Sequence, residues 1–145
     1  MFKHILLPTD GSPLSENAIL KGVQLARSIG ARVTGIHVSP QFQVLTYRTD
    51  MLEDTRAEYE RDCQVHAERY LAFVAKAAAE VGVPCDTMRA LNDDVDQAIT
   101  DAARERGCDL IAMASHGRRG LDKVLLGSQT QRVATHSSVP VLVWH

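Results

Sequence analysis

Apolar positions along this chain fall into short unbroken runs that alternate with longer stretches of helical period. His4 to Asp10 (HILLPTD) begins as a continuous apolar run and leads into Pro-Thr-Asp-Gly-Ser, the pattern of a buried strand passing into a loop. From Ser15 to Ile29, the residues Ala18, Ile19, Gly22, Val23, Leu25, Ala26 and Ile29 recur at helical spacing. They predict a helix with Pro13 in its first turn and Gly30 as its stop. Arg32 to Ser39 (RVTGIHVS) predicts a second strand, ended by Pro40. Gln41 to about Met51 has no clear period. A long helix follows from roughly Leu52 to Val81, with Tyr59, Cys63, His66, Tyr70, Phe73, Val74 and Ala77 on one stripe, read as core.

Cys85 to Leu91 (CDTMRAL) alternates and predicts a third strand. Asn92, Asp93 and Asp94 cap a helix that runs to Arg106 and closes on Gly107. Leu110 to Ala114 predicts a fourth strand, Ser115 to Gly120 a loop, Gly127 to His136 a last helix, and Val139 to Trp144 (VPVLVW) a fifth strand. Strands that alternate with helices require a parallel sheet covered on both faces. The fold class is therefore α/β: a single doubly wound domain over residues 1–145, with a five-stranded parallel sheet between two helical layers. In such sheets ligands bind beyond the carboxyl ends of the strands, where strand order reverses. The loops that matter are Pro8 to Ser12, Val38 to Pro40 and Ala114 to Ser128.

Composition narrows the partners. A chain of 145 residues, 45% of them hydrophobic, buries roughly two thirds of its unfolded surface, so stability requires neither metal nor disulfide. The net charge is −2 and basic residues are scattered, which leaves no footprint for nucleic acid. The N-terminal apolar run is far too short for a signal segment or a membrane span, so a cytoplasmic location is expected. Cys63, Cys85 and Cys108 form no CxxC pair and read as reduced, buried structural thiols. The histidines form no HExxH and no cluster at ligand spacing, so no transition-metal site is expected.

Gly117, Gly120, Gly127 and Ser128 lie between a strand and a helix start. There the backbone can approach a ligand closely, and free N–H groups with the positive end of the helix dipole suit a phosphate. The same glycines could simply make turns and a helix cap. GxxxxGK[ST] is absent and no GxGxxG follows the first strand, which argues against a Walker-type NTPase and a dinucleotide-binding dehydrogenase.

Ala114-Ser-His-Gly, nine residues, then Gly127-Ser128 resembles Gly-x-x-Gly-(nine residues)-Gly-[Ser/Thr], the signature of nucleotide-binding universal stress proteins. The opening HILLPTDGS, the His37-Val38 pair and the closing VPVLVW resemble that family as well. The resemblance implies an adenine nucleotide alpha hydrolase-like sheet in the order 3-2-1-4-5. It also implies binding of ATP or a related adenine nucleotide, with magnesium as a candidate companion, by a sensor or regulator of the stress response. By the same resemblance, Asp10 contacts the ribose, Pro8 and Thr9 flank the base, and the Val38 backbone reads the adenine edge. Gly117, Gly127 and Ser128 then wrap the phosphates, with Ala114, Ser115, His116 and Gln129 nearby. Arg118 and Arg119 are phosphate candidates on charge alone.

Ala114 stands where the signature has glycine, and its methyl group crowds the ligand if that backbone needs positive φ. Asp10 has a second reading as a loop cap, and His116 reads as a hydrogen-bonding loop residue because nothing nearby marks a nucleophile. No trio of oriented water, base and magnesium ligand can be named, so efficient catalysis is not expected. The alternatives are a slow ATP hydrolase and a nucleotide-free dimeric interaction protein. The last strand leaves an apolar sheet edge, and with the resemblance it predicts a homodimer through Val139 to Trp144, beside a protein partner that carries no sequence signature.

Overall fold

The apolar run after Lys3 forms β1 (His4–Pro8), and the four later runs form β2 (Arg32–Ser39), β3 (Cys85–Leu91), β4 (Leu110–Ala114) and β5 (Val141–Trp144). Helices α1 (Pro13–Ile29), α2 (Thr49–Glu80), α3 (Val95–Arg106) and α4 (Ser128–His136) connect them. The structure is a computed structural model that describes residues 1–41, 49–116 and 126–145. The sheet is wholly parallel, in the order β3-β2-β1-β4-β5.

Successive residues of β1 point to opposite faces, and all of them are buried, so both faces must be covered. Ile5 and Leu7 pack with Ile19, Val23 and Ala26 of α1 and with Val74, Ala77 and Ala78 of α2. Leu6 packs on the other side with Ile36, Ile111 and Met113, Ile99, Ala102 and Ala103 of α3, and Val133 of α4. Ile5, Leu6 and Leu7 are fully buried, each stabilising the fold by about 1.5–3 kcal/mol.

Element ends follow local hydrogen bonding. α1 begins at Pro13, two residues ahead of the apolar period, because the Ser12 hydroxyl accepts from Ser15 N–H at 3.2 Å and caps it. β5 begins at Val141, not Val139, since Pro140 has no donor to give. At the start of α3, Asp94 makes no side-chain cap bond; Asn92 Oδ1 accepts from Asp94 N–H at 2.9 Å. Asp93 Oδ1 accepts from Gln41 N–H, also at 2.9 Å, and so ties this turn to the end of β2. Among the described residues no helix is long and apolar enough to cross a membrane.

Candidate functional site

The chain steps outward from β1 to β2 and β3, then crosses back to β4 on the other side of β1. The strand order reverses there, and a cleft of about 640 Å³ opens above the carboxyl ends of β1, β2 and β4. Ile36 and Met113, with Val95 and Ile99 of α3, give it apolar lining.

Beyond Pro8 the chain is held by its own polar atoms. Thr9 N–H donates to Ile36 C=O at 2.9 Å, and Gly11 N–H donates to Thr9 Oγ1 at 3.1 Å. His37 Nδ1 lies 2.8 Å from the Thr9 carbonyl oxygen and must be the donor, because a carbonyl only accepts. Burial lowers the His37 pKa, opposed by this hydrogen bond and by the Asp10 charge. Asp10 Oδ1 accepts from Ser12 N–H at 2.9 Å, so Asp10 caps its loop and lines the cleft as well. Gly11 has φ 76°, and an added Cβ would fall inside the Tyr70 ring. The backbone conformation and the packing both demand glycine there.

The last paired residues of β1 and β2 are Pro8 and Ile36. Backbone groups of Thr34, Ile36 and Val38 point toward β1 by the alternation of a parallel ladder. Since β1 has ended, the N–H and C=O of Val38 face the cleft.

Across the cleft, Ser115 is a fastener. Its N–H donates to Trp144 C=O at 2.8 Å, its C=O accepts from Gly127 N–H at 2.7 Å, and its hydroxyl pairs with His116 Nδ1 at 3.1 Å. Thr130 Oγ1 donates to Ala114 C=O at 2.9 Å and seats α4 on β4. The Gly127 N–H expected to be free for a ligand is therefore occupied; the first-turn N–H groups of Ser128, Gln129 and Thr130 have no intrahelical acceptor. Gly127 has an ordinary φ of −61°, and a Cβ there would stand 3.0 Å from His116 Cβ and 3.1 Å from its Cα. The glycine is dictated by how closely α4 approaches the loop beneath it. Among the described residues no non-glycine has positive φ, so the Ala114 methyl imposes no backbone strain.

Pro8, Thr9, Asp10, Val38, Ala114, His116, Gly127, Ser128 and Gln129 thus line one cleft, while Ser115 lies behind it with its polar groups engaged. Gly117 and Arg118, with Arg119 and Gly120, lie outside the described residues.

Sequence reasoning missed a wall. The helical period places Tyr59, Cys63, His66 and Tyr70 in the core; the structure puts them on the cleft, with His66 exposed. The core stripe of α2 is Ala67, Leu71, Val74, Ala77 and Ala78. Tyr59, Cys63, His66 and Tyr70 flank the cleft, where side chains with a polar atom on an apolar body fit. The change from Tyr, Cys and His to Leu, Val and Ala near residue 71 was the available signal. Tyr70 sits edge-on to His37 at 5.0 Å and stacks on His66 at 6.0 Å, and Tyr59 OH donates to Pro40 C=O at 3.0 Å. Ser39 joins the cleft as well: among the described residues its buried hydroxyl has no partner, nor has Gln129 Oε1.

The three thiols are free. Burial pushes Cys108 up to about 11 and raises Cys85, which keeps both as thiols at neutral pH. Among the described residues no group of three or more His, Cys, Asp or Glu is placed to hold a metal ion.

A family model described as the universal stress protein family matches residues 1–145. The chain is similar to universal stress protein YxiE of Bacillus subtilis, 31% identical over 147 residues that cover 99% of each chain. It is also similar to a universal stress protein of Thermus aquaticus, 32% identical over 143 residues, covering 99% of this chain and 98% of that one. The solved structure of protein MJ0577 of Methanocaldococcus jannaschii matches with a TM-score of 0.80 at 27% identity, over 99% of this chain and 95% of that one. The fold is shared with an Archaeoglobus fulgidus universal stress protein in complex with dAMP, at TM-score 0.66 and 16% identity over 99% and 97% of the two chains. It is shared as well with an Arabidopsis thaliana family member with AMP bound, at TM-score 0.68 and 17% identity over 97% and 90%.

Proposed function

The chain belongs to the universal stress protein family, and from that membership and the cleft above β1 and β4 we propose that it binds ATP or a related adenine nucleotide as a regulatory module of the cytoplasmic stress response. The observation that carries this reading is the Val38 backbone, which turns one donor and one acceptor toward the cleft beyond the last β1–β2 pair. Adenine presents the complement on one edge, an acceptor at N1 and a donor amine at N6. Guanine presents the reverse, so its base would leave the Val38 groups mispaired, and an unsatisfied polar group costs about 1–3 kcal/mol.

Other features support the same ligand. A volume of about 640 Å³ lies in the range of small-molecule sites. The N–H groups in the first turn of α4 and the dipole of that helix suit phosphate, and the Asp10 carboxylate suits ribose hydroxyls. The orphaned Ser39 hydroxyl and Gln129 amide oxygen would find partners on a polar ligand. Family folds solved with dAMP and AMP agree with this chemistry.

The regulatory part rests on Ser115. Gly127 N–H bonds Ser115 C=O and Ser115 N–H bonds Trp144 C=O, so the phosphate end of the cleft is tied directly to the outer strand β5. We take β5 as the contact of a homodimer whose strength responds to occupancy. Calorimetric titration of the purified protein with ATP and with GTP, with and without magnesium, tests the binding reading. ATP should bind at least about tenfold more tightly than GTP; no heat with either nucleotide, or equal affinities, would refute it.

A further inference from the structure

We propose that His37 is a positioning residue that keeps the base-reading edge of the cleft open, by capping the Thr9 carbonyl that would otherwise extend the β1–β2 ladder over Val38. The parallel ladder dictates the next rungs. Thr9 N–H bonds Ile36 C=O, so the continuation would run from Val38 N–H to Thr9 C=O, and from Gly11 N–H to Val38 C=O. Both are diverted. The Thr9 carbonyl accepts from the His37 ring at 2.8 Å, and the Gly11 N–H goes to Thr9 Oγ1 at 3.1 Å. β2 itself does not stop here: it stays paired with β3 as far as Ser39–Leu91, and Asn92 N–H bonds Ser39 C=O at 3.0 Å. Among the described residues only the edge facing β1 is left open, and it is opened by a side chain from β2.

The ring is built for this task. His37 is half-buried, its backbone is fixed opposite Arg89 of β3, and Tyr70 of α2 meets it edge-on at 5.0 Å. Donation from Nδ1 to a carbonyl sets the tautomer and leaves Nε2 as an acceptor in the neutral ring. Phenylalanine in its place would preserve the packing but supply no donor. Asparagine would preserve a donor, because its amide nitrogen sits about where Nδ1 sits, and would lose the ring.

The test uses the full chain and has two arms, of which only the second depends on the nucleotide reading. Without ligand, amide hydrogen exchange followed by NMR should find Val38 N–H exchanging about tenfold or more faster than Ile36 N–H. His37→Phe should slow Val38 by about tenfold as its N–H pairs with the released Thr9 carbonyl, and His37→Asn should behave like the parent. In calorimetry, His37→Phe should weaken ATP about tenfold and erase the preference over GTP, while binding of inorganic tripolyphosphate is unchanged. His37→Asn should stay within about threefold of the parent for ATP. Protection of Val38 in the parent, unchanged Val38 exchange in His37→Phe, or equal behaviour of the Phe and Asn variants would each overturn the proposal. Should the parent bind no nucleotide, the function proposed above fails, and the exchange arm still decides the role of His37.

Discussion

The Asp10 carboxylate serves its own loop as well as the cleft, because Oδ1 accepts the Ser12 N–H at 2.9 Å. Asp10→Ala removes both roles, whereas Asp10→Asn keeps a neutral oxygen for the loop and gives up the charge. Both substitutions should weaken ATP by about tenfold or more in calorimetric titration, and only the alanine variant should also lose about 1 kcal/mol in urea unfolding. An Asn variant that binds ATP like the parent would remove Asp10 from the ribose site. His4 makes a second prediction. It is 4% exposed, and its Nε2 pairs with Thr34 Oγ1 at 2.6 Å. Burial lowers its pKa and the Arg32 charge adds to this, against a backbone hydrogen bond with Arg106 and the charges of Asp109 and Asp86. The folded chain therefore resists a proton that the unfolded chain accepts near the ordinary histidine value of about 6.5. Stability is insensitive to this group above that pH and declines as pH falls from there through the lower folded pKa. The urea midpoint should drop between pH 7 and 5, and the drop should be smaller in His4→Gln.

Helix α4 is placed by contacts at its first residue. Gly127 rests on the 115–116 backbone so closely that a Cβ would meet His116 Cα at 3.1 Å, and a backbone atom cannot swing aside as a flexible side-chain tip can. Gly127→Ala should therefore destabilise the fold by about 1–3 kcal/mol in urea unfolding, before any ligand is added, by prising α4 from β4. Equal stability of variant and parent would mean that the glycine serves only ligand access. The same contact gives Gly127 a packing reason that its spacing alone does not reveal. Spacing marks where small residues stand; whether a ligand or the chain's own loop occupies the space beside them is a tertiary matter. Helix α2 makes the point over a longer range, since Tyr59, Cys63, His66 and Tyr70 line the cleft while Ala67, Leu71, Val74, Ala77 and Ala78, at adjoining positions of the same helical period, face the core.

At the scale of the molecule, β5 is the outer strand of the sheet. Pro140 C=O accepts from Ile111 N–H at 3.0 Å and Trp144 C=O from Ser115 N–H at 2.8 Å, so the even-numbered residues bond β4. The backbone groups of Val141 and Val143 therefore point away from the sheet. A twofold-related copy pairing through them would cover both edges and close the assembly. Val143→Pro should remove an outward donor and convert the dimer to a folded monomer in light scattering at micromolar concentration. Leu142→Pro should instead damage the β4–β5 pairing and lower stability. A monomeric parent, or a Val143→Pro variant that remains a folded dimer, would exclude assembly through this strand.

Sequence pattern settles local features: the alternation of strand and helix, the two-faced burial of Ile5, Leu6 and Leu7, Pro13 in the first turn of α1, and strand ends that put Asp10, Val38 and the Gly127–Ser128 step at one end of the sheet. These follow from period, capping and turn chemistry, which act over a few residues. Which polar atoms are spent and which stay available depends on contacts between elements. The Gly127 N–H is spent on Ser115, the Ser115 N–H on Trp144 and the Thr9 carbonyl on the His37 ring, while among the described residues the Val38 edge facing β1 is left open. Each of these bonds joins residues from different elements. A backbone group's availability depends on what the fold brings within about 3 Å of it, and no local pattern encodes that distance.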